Sequence, residues 1–411
     1  MTHYNKIYKK VETFFGINLD YILRGGSWLG LDQVVSIIIS LGLIYVFGNF
    51  LDKEVFGTYR YVLSFFGILT IATLPNMNIA LITSVSRGFE GMLRKALKTR
   101  VVWGLWGTFA SISIAAWNFG NGETMLGYAF LLVAAFIPFS DSLNIFTAFM
   151  KGRKLFKEQT IYSIVIRIVS AATLIGVVFF SNNLLLLLLA FFLPYVIMRV
   201  IIYFRVVKKF KPNDKKDPTV ISYGKHLSFI QVMNVIINYL DNILIFHFLG
   251  PVALAGYTIA LAPIKKGEQA FSIIPDLALP KFSERNLKDT KIHLMKKMLK
   301  AMAVITLGVV MYIIFIPYAF RIVLPQYTES IFYSQILSLV LLSLPFGLVY
   351  TLLQAHAKKS ELYEYNVAIR IIQLTLTIVF VTLYGVIGAV IARILFKIAG
   401  LLLILMLFKR L

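Results

Sequence analysis

The sequence predicts an all-α polytopic membrane protein, with twelve transmembrane helices in two six-helix lobes related by a parallel pseudo-two-fold repeat. Three observations carry that expectation. Long apolar stretches recur from end to end of a 411-residue chain that is 59% hydrophobic and only 15% charged, with a mean hydropathy of +0.80. The basic residues collect in alternate connections. The two halves also align at a single shift, which lays Gly25 on Gly224, Ile44 on Ile243, Phe47 on Phe246 and Gly57 on Gly256. One residue further, Pro75–Asn76 falls on Pro275–Asp276.

In chain order, the N-terminal YNKIYKKVETFFGI is basic and amphipathic, without the contiguous apolar core of a signal peptide. Its Ile7, Val11, Phe14 and Phe15 suit a membrane surface beside Lys6, Lys9 and Lys10. Predicted spans follow at 25–50, 57–86, 99–118, 124–150, 160–180, 184–204, 222–249, 255–279, 298–319, 331–355, 366–383 and 387–408. A crossing needs about 20 apolar residues, so the longer ones tilt, kink or protrude. Connections after odd-numbered spans are tiny, such as NFGNGE and SNN. Those after even-numbered spans are longer and basic.

Of the 41 Lys and Arg, only Lys53, Arg60 and Arg321 fall on the side of the short connections. Eight lie inside spans: Arg167, Arg199, Lys225, Lys265, Lys266, Arg370, Arg393 and Lys397. All the others, Arg100 counted with its neighbouring loop, fall on the opposite side. The positive-inside rule makes that side, and both termini, cytoplasmic. The net charge of +22 therefore reads as membrane topology, and nucleic acid is not an expected partner. The Pro-containing, basic stretch 205–221 reads as a solvated linker between lobes 1–204 and 222–411.

The chain has no cysteine, which excludes disulfides, thiolate metal sites and cysteine nucleophiles. Its five histidines are scattered, with no metal-ligand spacing, so no metal site is expected. No GxxxxGK[ST] motif occurs, so ATP is not the direct energy source.

The most informative stretch is 222–249. Lys225, Ser228, Gln231, Asn234, Asn238 and Asp241 recur every three or four residues, with Asn242 beside the last. At about 3.6 residues per turn they form one polar stripe on an otherwise apolar helix. Such a stripe faces a water-filled cavity or bonds to neighbouring helices. Asp32 with Gln33, Ser36 and Ser40 gives the first span a thinner version.

The pattern GGSWLGLDQVVSIIISLGLIYVFGNFLDKEVFGTYRYVLS, followed by LPNMNIALITSVSRG, resembles the opening of Wzx-type polysaccharide flippases. YLDNILIFHFLGPVALAGYTIALAP resembles the start of their second half. These proteins belong to the multidrug/oligosaccharidyl-lipid/polysaccharide exporter superfamily. The resemblance implies a central cavity, alternating access, and carriage of an undecaprenyl-pyrophosphate-linked oligosaccharide from the inner to the outer leaflet of a bacterial plasma membrane. Other polysaccharide assembly proteins are its expected partners.

Chemistry assigns the candidate roles. A diphosphate head needs a polar, cationic path, and a charge at mid-membrane costs about 2.5–3.5 kcal/mol unless compensated. Lys265, Lys266, Arg393 and Lys397, with Gln231, Asn234 and Asn238, are the expected cavity lining. Arg24 and Lys225 are expected at its cytoplasmic mouth. The bland alternative for Lys265 is an i,i+3 pair with Glu268. Asp32, Asp241 and Glu268 are candidates to bind a coupling Na⁺ or H⁺, the only cofactors expected. Pro75, Pro263 and Pro275 are hinge candidates. Within the spans eight basic residues face five acidic ones, Asp32, Asp141, Asp241, Glu268 and Asp276. That excess favours an anionic cargo over the organic cations of a MATE-type exporter. A membrane-embedded enzyme of polysaccharide assembly would need larger loops and clustered carboxylates. A non-transporting scaffold leaves the buried charge unexplained.

Overall fold

The computed structural model describes residues 19–410 apart from 273, 276–277, 279–281, 284–286 and 357. Side chains are described from residue 28 onward, apart also from 29, 287–293, 296–297 and 359. The N-terminal segment, the Arg24 side chain and Asp276 thus lie outside the described residues. Every regular element among the described residues is helical. Nine helices there are long and apolar enough to cross a membrane. The chain divides into two compact units, Asn18–Tyr239 and one containing Leu240–Leu411.

The first unit holds α1 (Leu19–Phe50), α2 (Lys53–Leu69), α3 (Met77–Ser86), α4 (Leu93–Gly120), α5 (Thr124–Ser140), α6 (Ile145–Gly152), α7 (Phe156–Phe180), α8 (Leu184–Phe210) and α9 (Thr219–Ile230). The second predicted span is two helices rather than one. After α2 the chain tightens into a 3₁₀ turn, Thr70–Thr73, and Leu74 turns left-handed at φ 55°. Pro75 causes this, because a proline's ring excludes the helical conformation from the residue before it. The fourth span breaks likewise: Pro138 sits in the last turn of α5, and a 3₁₀ turn at Ser142–Asn144 leads into α6. Met77, Leu81, Leu93, Phe146, Phe149 and Val206 close into a shared core around these breaks.

The stretch 205–221 is mostly exposed, yet it is anchored at several points. Helix α8 runs on to Phe210, and the segment after it is fastened to the connection between α3 and α4. Arg153 donates to both oxygens of Glu90, each at 2.5 Å, and to Phe210 O at 2.7 Å. Asn213 N donates to Glu90 Oε2 at 2.9 Å, and Gly91 N to Lys215 O at 2.9 Å. Helix α9 then packs on α3. A Cβ at Gly224 would lie 2.4 Å from Met77 Sδ, so only glycine permits this approach. Asn76 completes the join, donating from Nδ2 to Leu227 O at 3.0 Å and from its backbone N to Ser228 Oγ at 3.2 Å.

The second unit contains the end of α10 (Val232–Phe271), then α11 (Leu287–Val323), α12 (Ser330–Ser338), α13 (Gly347–Ala355) and α14 (Lys359–Arg410). A 3₁₀ stretch, Leu339–Phe346, separates α12 from α13. Helices α10 and α14 each double back. Tyr257 lies sixteen residues beyond Asp241, about 24 Å along a straight helix, yet its hydroxyl donates to Asp241 at 2.7 Å. The turn is Gly250, at φ 82° and ψ 178°, a conformation open essentially to glycine alone. In α14 the turn is Gly385, at φ 61° and ψ −136°. Arg410 accordingly comes back to within 3.2 Å of Glu364. Pro263 lies inside α10 without interrupting it.

Candidate functional site

The two glycine turns are neighbours, since a Cβ at Gly385 would lie 3.2 Å from Leu249. Asp241 precedes its turn by nine residues, Tyr257 follows it by seven, and Arg393 follows Gly385 by eight. Those separations are about 14, 10 and 12 Å of helix, so three side chains from three helical arms reach one level. There Asp241 is 8% exposed. Its Oδ1 accepts from Asn242 N at 2.9 Å, and its Oδ2 from Tyr257 Oη at 2.7 Å and from Arg393 Nη1 at 3.1 Å. One turn on, Lys397 Nζ donates to Glu268 Oε1 at 2.8 Å. Arg393 and Lys397, expected as cavity cations, are thus joined to Asp241 and Glu268, expected as coupling acids.

Lys265, three residues before Glu268, adds its charge to that of Lys397 around the carboxylate. Lys265 projects to an exposed position, and Lys266 donates to Gln269 Oε1 at 3.3 Å.

The first unit follows the same rule. Arg167 Nη1 donates to Asp32 Oδ1 at 2.6 Å and to Asp32 O at 3.1 Å, joining α7 to α1. Arg100 on α4 is wholly buried and bridges both helix breaks. It bonds to Asp141 beyond α5, donates to Thr73 O at 2.9 Å, and donates to Asn78 Oδ1 at 2.8 Å. Arg199, 6% exposed, caps the end of α5 through Ser140 O and donates to Tyr195 Oη at 2.7 Å. Neither arginine snorkels to the surface. Among the described residues, each of the four intramembrane acids (Asp32, Asp141, Asp241 and Glu268) pairs with a base from a different helix.

Arg100 was hidden in the sequence because it ends a basic run. Its helical phase marks it: Leu93, Ala96, Arg100, Gly104, Gly107, Ser111 and Ala115 form the buried stripe of α4 at spacings of three and four.

The polar stripe of α9 and α10 divides by role. Ser228 is buried in the α9–α3 join and Asp241 in its ion pair. Gln231 caps the break between the helices and is exposed, Asn234 is half-buried, and Asn238 is exposed. Lys225 Nζ lies 4.7 Å from the centre of the Trp103 ring, a cation–π distance. Pro75 marks a real interruption, whereas Pro263 does not.

Residues 22–265, well over half of the chain, match the family described as polysaccharide biosynthesis protein. The chain belongs to that family. As a polysaccharide biosynthesis protein it carries Asp32, Arg100, Asp141, Arg167, Asp241 and Tyr257 within the matched stretch, while Glu268, Arg393 and Lys397 lie beyond it. No curated protein matches. Among solved structures, the inward closed conformation of the lipid II flippase MurJ is similar with a TM-score of 0.68 at 13% identity, over 94% of this chain and 87% of that one. A MATE protein in complex with MaD5 is similar with a TM-score of 0.63 at 15% identity, over 95% and 96%. An inward-facing multidrug resistance MATE family transporter of the MOP superfamily gives 0.60 at 14%, over 91% and 98%. At these identities the likeness is one of fold. This polysaccharide biosynthesis protein is a multi-pass membrane protein with the fold of MOP-superfamily transporters and flippases.

Proposed function

We propose that this chain is a flippase that moves an undecaprenyl-pyrophosphate-linked oligosaccharide from the inner to the outer leaflet of a bacterial plasma membrane, by alternating access through a cationic cavity. The observation that carries this reading is the match to a polysaccharide biosynthesis family in a chain folded like a lipid II flippase. Lys225, Lys265 and Lys266, with the exposed amides Gln231 and Asn238, are the groups we assign to the diphosphate-sugar head, and Arg24 joins them at the cytoplasmic mouth. The acids are committed to bases from other helices, which suits an anionic cargo better than the organic cations of a MATE-type exporter. Twelve crossings follow if α10 and α14 each cross twice and α4 crosses once. The interruptions of α5–α6 and of α12–α13 would then occupy equivalent places in two six-helix halves, with both termini cytoplasmic.

Reconstitution in liposomes with a fluorescent polyprenyl-pyrophosphate sugar tests the reading. The chain should carry the probe to the opposite leaflet, and a Lys265→Gln/Lys266→Gln variant of normal abundance should not. Transport of organic cations without lipid-linked sugar would favour the exporter reading instead.

A further inference from the structure

The sequence around Asp241 is that of a cation site: a buried carboxylate beside Asn242 and three residues from Asn238, in a membrane helix. The structure sets a charged side chain against it. We infer that Arg393 is a tethered counter-cation, filling the place a monovalent metal ion would take at Asp241, so that this chain binds Na⁺ there only when the arginine is removed.

Three features support this. The first is the occupancy of the carboxylate, which already accepts three hydrogen bonds. Asn242 N occupies Oδ1 at 2.9 Å, while Tyr257 Oη and Arg393 Nη1 share Oδ2 at 2.7 and 3.1 Å. A hard cation needs several oxygens at once and would have to displace the guanidinium to gain them. The second is the chemistry of the incumbent. A guanidinium is charged at every accessible pH and more weakly hydrated than an ammonium, so it sits in a dry site at less cost than a small ion stripped of water. Its tether also spares it the entropy that a free ion loses on binding. The third is recurrence. In the first unit Arg167 Nη1 likewise takes both the backbone oxygen and Oδ1 of an intramembrane carboxylate, Asp32, though the repeat does not align that acid with Asp241.

Removing Arg393 reverses the situation. Asp241 would be left buried with an uncompensated charge and a phenolic oxygen beside it, the condition that recruits a small cation. The inference goes beyond the cargo reading and does not rest on it, because the readout is ion binding to the purified full chain and not transport.

Thermal unfolding of the full chain in detergent at pH 8.5, in NaCl against equal choline chloride, provides the test. The unaltered chain and Arg393→Lys should unfold at the same temperature in both salts. Arg393→Gln should be less stable in choline and recover by at least about 2 °C in saturating NaCl, the shift that ligand binding gives a chain of this size. Arg393→Gln/Asp241→Asn should lose that recovery. A Na⁺ response in the unaltered chain that Asp241→Asn abolishes would overturn the inference, and so would a folded Arg393→Gln that ignores Na⁺. If Arg393→Gln does not accumulate, Arg393→Met and Arg393→Ala, which also remove the charge, take its place, with the same outcomes deciding the matter.

Discussion

Lys397 donates to Glu268 at 2.8 Å across 129 residues of sequence, fastening the returning arm of α14 to α10. The two side chains are 29% and 22% exposed, so the pair is shielded without being sealed. Neutralising either partner should lower stability by about 1.5–3 kcal/mol, the range for a hydrogen bond to a charged group. The exchange Glu268→Lys/Lys397→Glu should recover much of that loss. Thermal unfolding of the two single variants and the exchange measures the coupling. An exchange whose loss equals the sum of the two single losses would show that the pair contributes nothing.

Arg100→Met should be the most damaging of these changes. It strands Asp141 and leaves Thr73 O and Asn78 without their donor, at a cost of about 3–5 kcal/mol. Arg100→Lys should not rescue it, because one ammonium cannot serve three acceptors held apart by a planar fork. Membrane abundance and unfolding temperature both report this. Asp141→Asn should cost less, since that side chain is 29% exposed.

Glu90 should give the stability a distinctive acid limb. Burial alone would raise its carboxyl, but the two bonds from Arg153, the Asn213 N–H and the Arg153 charge together outweigh burial and hold it below its ordinary value. A group depressed in the folded state stabilises fully above its unfolded value, and that contribution is lost as pH falls through the folded one. The stability gap between the unaltered chain and Glu90→Gln should therefore be constant from neutral pH down to about 5, then close below about 4.5. Unfolding measured over that range in detergent is the check.

Gly250→Ala should destabilise by about 1–3 kcal/mol through backbone strain alone, because nothing lies within 4 Å of the added carbon. Gly176→Ala in α7 has the same open surroundings in an ordinary helical conformation, and should stabilise by up to about 1 kcal/mol. The contrast between them isolates the φ of Gly250 from any effect of bulk.

The absence of cysteine makes labelling direct. Cysteines at Gln231 and Asn238 should react with water-soluble maleimide, and one at Ile237, 3% exposed, should not. In intact cells, cysteines at Glu123 and Asn182 should label from outside, with Lys154 and Lys215 protected. Labelling of Lys215 from outside would reverse the proposed orientation.

The helical class and most of the spans were legible because a bilayer demands long apolar runs whatever they pack against. A break at Pro75 was legible only as a candidate, since Pro263, offered on the same ground, lies inside a helix it does not interrupt. The pairing of the charges was not. Asp32 meets Arg167, and Glu268 meets Lys397, through contacts between helices distant in sequence. Local spacing offered Glu268 only Lys265. Arg100 was lost for a related reason, since counting it with its basic neighbours hid the face on which it lies. The three- and four-residue phase of Leu93, Ala96 and Gly104 held that information.

The bonds joining Glu90, Arg153 and Asn213 bear on how the molecule can be tagged. By composition, 211–217 is the obvious place to insert a reporter domain or a protease site. An insertion there would pull Asn213 from Glu90 and Lys215 O from Gly91, loosening the stem that seats α9 against Met77. The exposed tip at Asn121–Glu123, where Gly122 turns at φ 81°, is the better choice for a graft.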